Sequence, residues 1–191
     1  MKLWITLWDL LSKLRPAFTR TRTFLWFTTC VIGYIVRNDL AGVTSIVRSL
    51  GLKDFYYDRL LDFFHSNAVN RKLLAQLWAK LVIAMCREFL VCHNNHLIIL
   101  GDGIKAPKCG KKMPGVKKLH QQSESNTKPS FIFGHSCQAI ALVAGTLETF
   151  FAIPLLSSIH EGVVFSNRDK RTLIDRMMLM INSMAFTMPY Y

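Results

Sequence analysis

The stretch Leu97-Ile98-Ile99-Leu100-Gly101-Asp102-Gly103 separates two regimes of hydrophobic patterning. Four consecutive apolar residues that end on Gly-Asp-Gly read as a short buried strand stopping at Asp102. Upstream of His93 the spacing is helical. From Arg71 to Val91, residues Leu73, Leu74, Leu77, Trp78, Leu81, Val82, Met85, Phe89 and Leu90 recur every three or four positions, with Asn70 as the N-cap. Shorter helices are predicted over Leu40–Leu50 and Phe55–Phe64, the first closed by Gly51. Met1–Leu14 reads as an amphipathic helix that packs on the rest of the protein. Downstream, Phe131–Phe133 and Gln138–Val143 form one interrupted strand or two, and Glu148–Leu156 forms another, with Ala144-Gly145-Thr146 as the turn. A final helix follows, with Ser166 and Asp169 as a capping box, Leu173, Ile174, Met177, Met178, Ile181 and Met184 as its apolar face, and Pro189 at its end.

The fold class is therefore α+β, with a helical region over residues 1–92 and a strand-strand-strand-helix region over residues 93–191. Composition agrees with a folded chain: 191 residues, 51% hydrophobic and 12% aromatic, exclude disorder and collagen-like repetition. The five cysteines are odd in number and scattered, and no secretory signal accompanies them, so a reducing cytoplasm is expected. The longest apolar stretch, Phe24–Val36, has 13 residues between Arg22 and Arg37. A spanning helix needs roughly 20, so no membrane span is expected.

The net charge of +12 points to an anionic partner. Half of that excess lies in residues 105–128, where Lys105, Lys108, Lys111, Lys112, Lys117, Lys118 and Lys128 face a single acid, Glu124. Pro107, Gly110, Pro114, Gly115 and Pro129 punctuate the segment, which reads as a long loop without regular structure. It is either a solvated connection or a phosphate-binding surface.

Asp102 has two readings. A carboxylate at a strand end, beside a basic loop, can hold a divalent cation that acts on a phosphodiester. Asp-Gly is also an ordinary turn dipeptide. Other constellations are weaker. Cys86, Cys92, His93 and His96 lack zinc-site spacing, and Lys105 stands where a phosphate-binding loop ending at Gly110-Lys111 needs glycine. His120, His135 and His160 are candidate bases for Ser136 or Cys137, with no spacing that selects a set.

The runs Gly101-Asp102-Gly103-Ile104-Lys105-Ala106-Pro107-Lys108, Lys111-Lys112-Met113-Pro114-Gly115-Val116-Lys117-Lys118-Leu119-His120-Gln121 and Phe131-Ile132-Phe133-Gly134-His135-Ser136 resemble bacterial insertion-sequence transposases of the DDE class. Phe55-Tyr56-Tyr57-Asp58-Arg59-Leu60-Leu61-Asp62-Phe63-Phe64-His65 extends the likeness. The resemblance implies a ribonuclease-H-like catalytic fold, in which three antiparallel strands precede a helix. It makes Asp102 the first acid of a triad that binds two Mg2+ ions for DNA cleavage and strand transfer. It lays Lys105, Lys108, Lys111, Lys112, Lys117, Lys118 and His120 along the DNA of a transposon end.

In that resemblance the second aspartate is expected beyond Tyr191 and the glutamate farther on, while Asp169, Asp175, Glu148 and Glu161 match no catalytic position. The chain thus resembles the N-terminal part of a transposase, binding duplex DNA but inactive alone, with Mg2+ expected only for the complete triad. Residues 1–92 would recognise transposon ends or support a homodimer. There Thr44–Leu50, Gly51 and the next helix suggest a helix-turn-helix, with Arg48 reaching phosphate or base. Two alternatives are a small basic protein that binds nucleic acid or an anionic membrane without catalysis, and a hydrolase built on His135 and Ser136.

Overall fold

The computed structural model describes residues 2–39, 42–108, 110, 115–120, 130–146, 148–160 and 171–185. The architecture is α+β, with helices first and antiparallel strands after them. The chain forms two compact units, Met1–Leu81 and Val82–Tyr191, so the division falls inside a helix, ahead of the change in periodicity at His93.

The first unit is helical: α1 (Lys2–Ser12), α2 (Thr21–Val36), α3 (Val43–Ser49), α4 (Tyr56–Phe64) and the start of α5 (Arg71–Cys86). Its core has two clusters. Leu11, Leu14, Ala17, Phe18, Phe24 and Leu81 form one, with Leu7, Leu10 and Leu77 packed against it. Cys30, Ile46, Val47 and Leu60 form the other. Ile46 and Leu60 are fully buried, and each such side chain contributes about 1.5–3 kcal/mol of hydrophobic stabilisation. Gly33 makes the second cluster possible, because a Cβ there would collide with Ile46.

Only the C-terminal half of α1 packs inward; Leu3, Trp4 and Ile5 are exposed. The Phe24–Val36 run lies inside α2, and among the described residues no helix is long and apolar enough to cross a membrane.

Two expected caps form. Gly51 has φ of +60°, and the Leu52 N–H donates to the Val47 carbonyl at 2.9 Å, which closes α3 in a Schellman motif. Asn70 Oδ1 accepts from the Leu73 N–H at 3.0 Å at the start of α5. The helix expected over Arg71–Val91 ends at Cys86 and tightens into a 3-10 turn over Arg87–Phe89.

The second unit is built on one strand. A small hairpin, β1 (Cys92–His93) and β2 (His96–Leu97), turns on Asn94 and Asn95, both with positive φ. Then come β3 (Ile99–Pro107), β4 (Lys117–His120), β5 (Phe131–Gly145) and β6 (Phe150–His160), all antiparallel to β5 or paired through it. Ser136 pairs with both Lys105 and His160, and Gly134 with both Pro107 and Lys117. So β3 occupies one edge of β5, while β4 and β6 share the other. A bulge at Leu155 absorbs Pro154, which has no N–H for the ladder. The β5–β6 hairpin closes where the Thr146 N–H meets the Thr149 carbonyl at 2.9 Å.

Helix α6 (Leu173–Ala185) covers the face of the sheet that carries the even-numbered residues of β5. Met177 Sδ fills the place of a side chain at Gly101, which lies opposite Ile140. Met180 and Met184 are buried with Ile140, Leu142 and Ala144. The reciprocal cap of α6 is made by Thr172 and Asp175: the Thr172 N–H donates to Asp175 Oδ2 at 2.7 Å, and the Asp175 N–H to Thr172 Oγ1 at 3.1 Å. Ser166, Asp169 and Pro189 lie outside the described residues.

Four expectations need correction. The first strand does not stop at Gly101-Asp102-Gly103, because the backbone of these residues pairs with Ile140, Ala139 and Gln138 and the ladder runs on to Pro107. Nor is that strand buried: as an edge strand it has Leu100 and Ile104 about half exposed. The lysine-rich segment is not wholly irregular, since Lys117–His120 pairs with Phe131–Gly134 as β4. Phe131–Gly145 is a single strand, continuous through Gly134, where Ala106 approaches so closely that a side chain would collide with its carbonyl.

Candidate nucleic-acid interface

Asp102 sits in the middle of β3, opposite Ala139, and is exposed. Its Oδ1 accepts from the Gly103 N–H at 2.6 Å. Asp-Gly is a strand dipeptide here, not a turn. Gly101 is needed for the approach of Met177, and Gly103 faces the Gln138 amide, 3.2 Å from where a Cβ would stand.

Two hard cations held in fixed geometry require several oxygen ligands. Among the described residues no group of three or more His, Cys, Asp or Glu side chains gathers at one place. Among the described residues Asp102 thus stands without the set of further ligands that a two-metal centre needs. The same holds for Cys86 in α5 and for Cys92, His93 and His96 in the β1–β2 hairpin.

The lysines divide by face. Side chains alternate across a strand, and β4 puts Lys118 and His120 outward while Leu119 is buried and Lys117 half-buried. Lys118 Nζ lies 4.3 Å from the centre of the Phe131 ring, a cation–π distance. His120 meets the same ring edge-on at 5.1 Å. Lys105 Nζ donates to the His120 carbonyl at 2.6 Å, and the Lys108 N–H to the Phe133 carbonyl at 2.8 Å. Phe131 is 50% exposed and Phe133 41%. Lys118 and His120 thus flank the open ring of Phe131, while Lys105 and the backbone of Lys108 are tied to the carbonyls of His120 and Phe133. Lys111 and Lys112 lie outside the described residues.

Lys117 turns to the other face. Its ammonium donates to His160 Nδ1 at 3.2 Å, which leaves the His160 proton on Nε2, 3.4 Å from the Arg171 carbonyl. Burial, and secondly the charge of Arg176, lower the Lys117 pKa from its ordinary value. These contacts leave neither His135 nor His160 as a base for Ser136. His135 and Ser136 are consecutive on β5 and point to opposite faces. His160 is paired across from Ser136, yet both of its ring nitrogens are engaged elsewhere.

No protein-family model, curated protein or solved structure matches the chain. Its chemistry has to be read from its own residues. In the first unit Arg48 is exposed at the end of α3 and pairs with Asp39 at 3.5 Å. α3, the Gly51 turn and α4 do follow one another as helix, turn and helix. But Asp58 and Asp62 on α4 outnumber Arg59, and Asp54 stands just before it, a charge that opposes phosphate. The sequence reading missed Phe131, Phe133 and His160 as partners of the basic residues. The available signal was the alternation Phe131-Ile132-Phe133, which puts two aromatics on one face next to a lysine-rich segment.

Proposed function

We propose that this chain binds DNA through the basic end of its sheet, as part of a DDE transposase with a ribonuclease-H-like catalytic domain acting in the cytoplasm. The observation that carries the reading is the placing of Lys118 and His120 against the open ring of Phe131, on the strand that follows the lysine-rich segment. Lysines neutralise phosphates with little sequence preference, and exposed aromatic rings add contacts to bases or sugars. Two further features support it: an antiparallel sheet whose three long strands, β3, β5 and β6, are followed by a helix, and an acid, Asp102, on the strand that leads into the basic segment.

Binding without cleavage is the expected activity of this chain alone. Asp102 has no set of carboxylates gathered with it among the described residues. This also keeps a purely non-enzymatic nucleic-acid-binding protein as the second reading.

The test is a salt titration of binding to duplex DNA. Affinity should fall by orders of magnitude between roughly 50 and 200 mM salt if six or more phosphates are contacted. Replacing Lys111, Lys112 and Lys118 together by alanine should flatten that slope. A salt-independent affinity would overturn the reading.

A further inference from the structure

Helix α1 has three sides. Leu7, Leu10, Leu11 and Leu14 form a seam that packs into the helical unit, and Lys2, Thr6, Asp9 and Lys13 form an exposed polar stripe, about 120° from that seam at about 100° per residue. Trp4, Ile5 and Trp8 occupy the third side, and it is open. They are each about half exposed, and Leu3, one turn ahead of Leu7, is 75% exposed. A helix with one face on a core and the rest in water carries polar residues at such positions. The Trp8 ring meets the buried Phe24 ring edge-on at 5.9 Å, so the open side is anchored to the core through α2 and is preformed for a partner.

Area, charge and side-chain type identify that partner. Four side chains exposed to this degree offer roughly 400–500 Å² of apolar surface, about half of what each member brings to a stable protein pair. That is little for a second copy. A bilayer surface sets no such minimum, since binding grows with the apolar area inserted and with attraction to anionic lipids. Residues 2–22 hold five Lys and Arg against one acid, Asp9, and Lys2, Lys13, Arg20 and Arg22 are exposed, which complements anionic headgroups. Tryptophan suits the same level, because its ring is apolar while its N–H needs a polar partner. Duplex DNA would use the cations but would leave Leu3 and Ile5 in water.

We infer that α1 is a membrane-surface anchor: Leu3, Trp4, Ile5 and Trp8 enter the headgroup region of an anionic bilayer, and Lys2 and Lys13 meet lipid phosphates from the adjacent stripe. The helix lies in the plane of the surface and does not cross it. The long lysine stems keep the ammonium groups at the polar level. The inference is independent of the DNA-binding reading, which rests on the sheet.

Co-sedimentation of the full chain with vesicles of phosphatidylcholine alone, and of phosphatidylcholine mixed with phosphatidylglycerol, tests it. The parent should bind the anionic vesicles more tightly than the neutral ones. Trp4→Ser/Ile5→Ser should weaken that binding by about ten-fold or more, the effect of withholding two apolar side chains from burial. Its unfolding midpoint should match the parent, because both residues are exposed. Lys2→Ala/Lys13→Ala should reduce only the preference for the anionic vesicles. Quenching of the parent's tryptophan emission by brominated acyl chains reads the same contact without a substitution. The sheet variant lacking Lys111, Lys112 and Lys118 should keep its vesicle binding, so the two readings fail separately; loss there would place the lipid contact on the sheet and overturn the anchor. No binding to anionic vesicles, or binding that survives Trp4→Ser/Ile5→Ser, would also overturn it. So would a dimer in lipid-free solution that the same double variant dissociates, which assigns the open side to a second copy.

Discussion

The two faces of β5 are nearly the reverse of what composition suggests. Toward α6, Ser136 and Gln138 are buried, at 8% and 3% exposure, in line with Ile140, Leu142 and Ala144. On the opposite face Phe131 and Phe133 stand open, in line with His135 and Cys137. A strand with apolar residues on both faces does not announce which one is covered. That choice is made by the helix that lands on it, and α6 lands where Gly101 leaves room for Met177. The open face keeps aromatic rings within reach of Lys118 and His120, and so the residues that look most like core are available to a partner.

The largest effect should come from exchanging one face for the other. Ile140→Ala removes a fully buried side chain from the covered face and should cost about 3 kcal/mol, read from the shift of a urea unfolding midpoint. Phe133→Ala, on the open face, should cost about 1 kcal/mol or less. Equal losses would mean that both faces are covered.

A smaller contrast lies in the two glycines that flank Asp102. Gly101→Ala drives a methyl group into the Met177 sulfur and should cost about 1–3 kcal/mol. Gly103→Ala meets only the Gln138 amide, a side-chain end that can swing away, and should be within about 0.5 kcal/mol of the parent. The same unfolding experiment ranks them, and the opposite order would place α6 elsewhere.

The smallest effect concerns how α6 is held at its start. Thr172→Ala should remove about 1 kcal/mol of cap stability. The Thr172 backbone and side-chain hydrogen bonds hold the Asp175 carboxyl below its ordinary pKa. A depressed folded pKa means that this stabilisation is fully present above the unfolded carboxylate value and is lost as pH falls through the lower, folded one. Acid titration of stability should therefore show a weaker dependence at low pH in Thr172→Ala than in the parent. An unchanged profile would separate Asp175 from the cap.

Much of the fold is legible along the chain, because its signals are local. Asn70 before an apolar helical period and Gly51 after one announce helix ends through backbone groups a few residues away. The change of period near His93 announces the change from helices to strands. Reading stopped at features that depend on distant residues. Gly101-Asp102-Gly103 has the composition of a turn, and only its pairing with Ile140, Ala139 and Gln138 makes it strand. Lys117–His120 lies among prolines and glycines, and β5 recruits it as an edge. The same applies to the candidate site: the lysines were visible as a run, but not their division by face.

By itself the sequence determined the class of the fold, the passage from helices to strands, the caps at Gly51 and Asn70 and the concentration of positive charge, since each follows from periodicity, turn chemistry or a count of charges. Tertiary structure alone decided which face of β5 is buried, that Asp102 lies within a strand, and that Lys117 turns to His160 while Lys118 turns to Phe131. Those outcomes depend on pairing and packing between residues far apart in the chain, and no local pattern encodes which partners meet.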